Sequence, residues 1–109
     1  MSNTHDNFDT APVFAALGDV TRLELVSRLS DGEGHSIAQL SDGLDLTRQG
    51  VTKHLRVLER AGVVSCSRVG RERRFVIEGG AIEAARDYLD RASVQWDDAI
   101  DRLRMAVED

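Results

Sequence analysis

Cysteine and proline each occur once in these 109 residues, and aromatic side chains make up 5% of them. The lone Cys66 excludes an internal disulfide, so a reducing, cytoplasmic compartment is the expected one. No apolar run approaches the length of a membrane span, so no membrane partner is expected. Met1 to Asn7 is polar and holds no apolar h-region, so no secretory leader is expected. Also missing are paired carboxylates in a cleft-forming context, a Cys/His dyad and a phosphate-binding glycine loop. An enzyme is therefore not expected, and no catalytic residue or cofactor is assigned. The glycines fall at turns and helix ends. A chain of this length makes one domain with one modest core.

Positive charge is also in short supply, until it is located. The formal net charge is −5. Residues 1–46 carry a net −6, residues 47–77 a net +6, and residues 78–109 a net −5. The cations are gathered in one stretch between two acidic flanks. A basic patch of this kind is the electrostatic footprint of nucleic-acid binding, whatever the total charge.

That stretch begins with Leu46 to Gly62. At helical period, Val51, Leu55 and Leu58 fall on one side, where they would face a core. Gln49, Thr52, Lys53, Arg56 and Arg60 fall on the other, with almost no acid among them. Thr47 is placed as an N-cap and Gly62 as a C-cap glycine. A short helix with a dry back and a basic, amide-bearing front suits the major groove of DNA.

Upstream, residues 1–9 read as a flexible tail. Thr10 is placed as the cap of a short helix, with Pro12 in its first turn and Val13, Phe14 and Leu17 along it. Asp19 caps a second helix with Leu23, Val26 and Leu29 inward, and Glu24 and Arg28 are spaced as a surface ion pair. Ser36 to Gln39 has capping-box spacing and opens a third helix with Ile37, Leu40 and Leu44 inward. Asp45 is placed in a left-handed turn before the next helix. Residues 36–61 thus make a helix-turn-helix, with the second helix as reader.

Downstream of Gly62 the period changes to alternation. A hairpin over residues 63–77 is predicted, turning at Gly70-Arg71, with Cys66 facing Phe75 and Val64 facing Ile77. Arg68, Arg71, Arg73 and Arg74 crowd its tip. Beside a helix-turn-helix such a hairpin is a wing, whose arginines meet phosphates or enter the minor groove. Residues 81–108 read as one long helix. Ile82, Leu89, Trp96 and Leu103 recur every seven residues, with Ala85, Ala92, Ala99 and Ala106 between them. Such a stripe needs cover. The expected cover is the same helix of a second copy, together with Phe14 and Leu17 of the first helix. The fold class is mainly α with a β-hairpin wing: a winged helix-turn-helix with a long C-terminal dimerisation helix.

Three segments resemble the ArsR-type (arsenic-repressor-like) winged helix-turn-helix regulators of bacteria. The first is Ala16-Leu17-Gly18-Asp19-Val20-Thr21-Arg22, with Val20 where the family usually has proline. The second is Leu46 to Leu55, with Leu58 and Ala61-Gly62-Val63-Val64; here Gly50 replaces a usual small residue. The third is the wing from Arg68 to Phe75. The final helix is similar to the family's dimerisation helix. The resemblance implies a homodimer that represses transcription from an inverted-repeat operator on double-stranded DNA and is released by a signal. Many relatives bind metal through Cys-x-Cys before the reader, but His35-Ser36-Ile37-Ala38-Gln39-Leu40 has no thiolate. Others use Asp and His on the last helix. That helix has Asp87, Asp90, Asp97, Asp98 and Asp101 but no histidine, so neither pattern of metal sensing is expected. No effector is assigned.

The DNA-binding residues expected are Arg48, Gln49, Thr52, Lys53 and Arg56 on the reader, with the four wing arginines. Arg48 and Gln49 lie in the first turn, where arginine suits guanine and glutamine suits adenine. Gly50 costs about 1 kcal/mol against alanine in a helix, and could admit a close backbone approach to DNA. His54 is expected to be packed and hydrogen-bonded rather than a base reader. Cys66 is read as a structural, inward cysteine, and Trp96 as an interface anchor. The competing reading is a winged-helix protein-interaction module that docks its basic face on an acidic partner.

Overall fold

A computed structural model describes residues 10–108; the tail expected over residues 1–9 lies outside them. The order of elements is α1 (Thr10–Leu17), α2 (Val20–Arg28), β1 (His35–Ser36), α3 (Ile37–Ser41), α4 (Arg48–Arg60), β2 (Val64–Val69), β3 (Glu72–Ile77) and α5 (Gly79–Glu108). One core joins them. Val13 and Ala16 reach it from α1, Leu25 and Leu29 from α2 and its end, and Leu40 from α3. Val51, Leu55 and Leu58 enter from α4, Phe75 from β3, and Ala81 and Ala85 from α5. Each large aliphatic chain so buried contributes about 1.5–3 kcal/mol.

The helix ends follow the sequence except at Thr10, at Asp45 and at the start of α5. Thr10 is the first helical residue of α1 and not its cap. Asp19 does cap α2, its carboxylate accepting the Arg22 N–H at 3.0 Å. Ser36 and Gln39 form the reciprocal capping box of α3. Thr47 Oγ1 accepts the Gly50 N–H at 3.0 Å at the start of α4. At the other end Gly62 has φ 81°. Its N–H donates to Glu59 O at 3.0 Å, and the Val63 N–H donates to Leu58 O at 2.9 Å, which is a Schellman closure. The second exception is Asp45. No described non-glycine residue has a positive φ; Gly43, at φ 79°, makes the turn instead. Glycine enters that region without the Cβ clash that aspartate would meet.

Leu23 is not inward. It is 52% exposed, while Leu25 is fully buried. Leu25 and Leu29, four apart, set the inward face, and Leu23 is turned away from Leu25 by about 200°. Arg28 pairs with Glu24 at 3.1 Å, as expected. Its Nη1 also donates to Leu40 O at 3.1 Å and to Asp42 O, tying α2 to the end of α3.

The hairpin has the expected register, with Val64 opposite Ile77 and Cys66 opposite Phe75. Gly70 has φ 64° and Arg71 does not share the left-handed region, as a two-residue turn opening on glycine requires. One strand is additional. β1 pairs with β3, His35 opposite Phe75 and Ser36 opposite Arg74, giving the order β1-β3-β2. The Glu78 N–H donates to Val63 O at 2.9 Å and closes the hairpin base.

α5 starts at Gly79, two residues earlier than expected, and runs 30 residues, about 45 Å. Its first turns pack on α1, with the Phe14 and Tyr88 rings 5.6 Å apart and inclined at 62°. Past Ala92 every described residue of the helix is exposed. No helix among the described residues is long and apolar enough to cross a membrane.

Candidate nucleic-acid interface

The core face of α4 positions its other face. Because Val51, Leu55 and Leu58 are buried, Gln49, Lys53 and Arg56 are exposed together on the opposite side, and Arg48 is exposed at the edge of that face in the first turn. Thr52 is half-buried, and its hydroxyl donates to Arg48 O at 2.8 Å. What Thr52 can still offer outward is an acceptor lone pair and a methyl group. Arg60, at the last turn, lies against the Arg56 carbonyl at 3.4 Å.

On the hairpin, Arg68 and Arg73 are directly opposed across the strand pair, and Arg71 sits in the turn; all three are exposed. Like charges so paired repel each other. Arg74 differs. It is half-buried, and its guanidinium donates to Glu72 from Nε at 3.4 Å and Nη2 at 3.3 Å. Among the described residues, no ion pair joins Arg48, Lys53, Arg56, Arg68, Arg71 or Arg73 to a carboxylate. Arg48 and Arg73 come from different elements yet line one open cavity of about 260 Å³, with Ser36, Ile37, Ala38 and Glu72.

Behind the reader lies a contact that the sequence motif alone did not disclose. Arg22 Nε donates to Ala16 O at 2.6 Å, and Nη2 reaches Ala15 O at 3.5 Å, so the guanidinium closes the end of α1. Its Nη1 lies 3.2 Å from His54 Nδ1 on α4. His54 is thus packed and hydrogen-bonded, not presented outward. The backbone N–H of Arg22, followed by the nearby cationic charge, holds the Asp19 carboxyl below its ordinary range. Cys66 is half-buried against the core.

The second surface is apolar. On α5, Ala85 and Ala92 are buried within the chain itself, and Ile82 is half-buried. Leu89, Trp96, Ile100 and Leu103 are between 43% and 66% exposed, and Ala99 is exposed with them. Phe14 and Leu17 of α1 are half-buried and border a cavity of about 420 Å³ with Ile82, Ala85 and Leu89. No group of three or more His, Cys, Asp or Glu side chains among the described residues is placed to hold a metal ion.

Comparison with known proteins bears on both surfaces. A helix-turn-helix domain model matches residues 17–66. YuzN, an uncharacterised helix-turn-helix-type transcriptional regulator of Bacillus subtilis (strain 168), is 39% identical over 70 residues, which cover 59% of this chain and 76% of that protein. The structure of an ArsR-like transcriptional regulator from Rhodococcus sp. RHA1 is 33% identical and superposes with a TM-score of 0.72, covering 88% of this chain and 90% of that one. A homodimeric winged helix-turn-helix DNA-binding domain from Mycobacterium bovis shares the fold at 21% identity, with a TM-score of 0.59 over 84% of this chain and 82% of that one.

Proposed function

The chain belongs to the ArsR-type winged helix-turn-helix transcriptional regulators, and from that premise we propose that it is a homodimeric repressor acting on an inverted-repeat operator. The supporting observation is the exposed face of α4 beside an arginine-rich hairpin, where Arg48, Lys53, Arg56, Arg68, Arg71 and Arg73 have no ion pair to a carboxylate among the described residues. Cations of the reader and wing, namely Lys53, Arg56, Arg68, Arg71, Arg73 and Arg74, release counterions from phosphates and supply affinity that falls with salt. Gln49 and Thr52 contact base edges from the first turns of the reader. Two copies clasp through Leu89, Trp96, Ala99 and Leu103 of α5, extended by Phe14, Leu17 and Ile82. Ala85, which lines a cavity with Phe14 and Leu17, lets α5 sit close to α1. The homodimeric M. bovis domain of the same fold supports that arrangement. The dimer then sets the half-site spacing, and release by a signal in the cytoplasm completes the cycle.

The test is a titration of the purified protein against fragments of its own genome at moderate salt. A saturable preference for a fragment carrying an inverted repeat, with two chains per site, is the expected result. Binding without preference for any fragment would overturn the repressor reading and favour an acidic protein partner for the basic face.

A further inference from the structure

We propose that Arg48 and Arg73 grip one and the same backbone phosphate of the bound duplex, in the notch between the start of α3 and the wing; this rests on the DNA-binding reading above. The two arginines are far apart in sequence. The short strand β1 brings them together. By pairing Ser36 with Arg74 it lays β3 alongside the start of α3, so Arg73 follows on beside Ile37. Thr47 caps α4 so that Arg48 is its first residue, and Arg48 closes the other side of the notch.

The cavity, about 260 Å³, is walled by Ile37 and Ala38, which offer no charge. Ser36 is 7% exposed, and its Oγ accepts the Gln39 N–H at 3.2 Å, which leaves the hydroxyl proton to donate. Glu72 lines the notch as well, but its carboxylate is engaged by Arg74 at 3.3 Å. Two arginines without carboxylate partners therefore line one small concavity. Such a pair repels until an anion lies between them, and guanidinium matches phosphate oxygens in bidentate fashion.

Shape decides between phosphate and base. Base edges are recessed in the grooves and are reached by side chains that protrude. A recess on the protein is filled by what protrudes from the duplex, and that is the phosphate. Arg48 thereby leaves the guanine-reading role that its place in the first turn suggests. Its phosphate contact fixes register and joins reader to wing across a single DNA group.

The experiment uses the full chain and a duplex selected from a random pool by the wild-type protein. Binding is measured across a salt series for wild type, Arg48→Ala, Arg73→Ala and the double variant, and the pool is reselected with Arg48→Ala. One shared phosphate predicts that the slope of log affinity against log salt falls by about 0.9 in the double variant, with less in each single. It also predicts an unchanged selected sequence. A fall of about 1.8 in the double variant, meaning two separate phosphates, would overturn the proposal. So would a changed base preference for Arg48→Ala. If the wild type selects no sequence, the repressor reading fails and the grip fails with it. The proposal fails alone only when the wild type selects and the variants depart from this pattern.

Discussion

Arg22 Nη1 lies 3.2 Å from His54 Nδ1, and this contact joins the corner between α1 and α2 to the back of the reader helix. A guanidinium only donates, so Nδ1 must present its lone pair and the ring proton must sit on Nε2. Asp19 Oδ2 stands 3.8 Å from the same ring nitrogen. The first and second helices are thereby referenced to the helix that presents Gln49 and Lys53.

Arg22→Ala removes that contact and the bonds to Ala16 O and Ala15 O, and should cost about 2 kcal/mol. His54→Leu should cost about 1 kcal/mol by leaving one guanidinium donor unmet. Urea denaturation of both singles and the double closes a cycle. The double should lose less than the sum of the singles. Strict additivity would mean that the contact holds no coupling energy.

Acid should weaken the fold through Asp19 and Asp31. Backbone N–H groups of Arg22 and Glu33, respectively, are the main cause that holds each carboxyl below the usual 3.8. A carboxyl depressed on folding contributes stability above its unfolded value and loses it as pH falls through the folded value. Stability from both groups should therefore be complete at neutral pH and drop below about pH 4. Asp19→Asn keeps a capping acceptor but removes one titration. Melting temperatures from pH 6 to pH 2 should fall less steeply for that variant; an unaltered slope would refute the assignment.

Trp96 is the only tryptophan, and in a single chain it is 49% exposed. If α5 is the dimer contact, its emission should shift to the red as the protein is diluted and the copies separate. Trp96→Asp should give a folded monomer by sedimentation, because the helix past Ala92 is already exposed along its length. Its affinity for a two-half-site duplex should drop about a hundredfold or more. A variant that remained dimeric would place the contact elsewhere.

Arg71→Ala and Gln49→Ala should separate affinity from specificity. Loss of the exposed turn arginine should weaken selected and random duplexes alike and lower the salt slope by about 1. Loss of Gln49 should cost about 1–3 kcal/mol on the selected duplex and little on random DNA. Equal effects on both kinds of duplex would defeat the division of labour.

The reader helix and the hairpin were legible because each announces itself locally. Thr47, Gly62 and the Val51, Leu55, Leu58 spacing bound the helix, and Gly70 with the Cys66 and Phe75 alternation sets the strand register. β1 was not legible. At two residues it is too short to show a period, and Ser36 serves both as strand end and as helix cap. Leu23 misled because three leucines lie within seven residues of α2 and its end, and only packing chooses among the faces. Arg22 stood in a recognisable motif, but its acceptors are carbonyls at a chain corner and a ring 32 positions away. That Arg48 and Arg73 line one cavity depends on β1, so it was hidden for the same reason as the strand itself.

Val63 has one further consequence. Its N–H hangs on Leu58 O and its own carbonyl holds the Glu78 N–H, each at 2.9 Å, and α5 begins at the next residue. Both feet of the hairpin are therefore pinned to the final turn of α4 through one residue, Val63. A rotation applied to the long helix at its first turn is passed to reader and wing as one tool on a short handle, with no slack loop in between to absorb it.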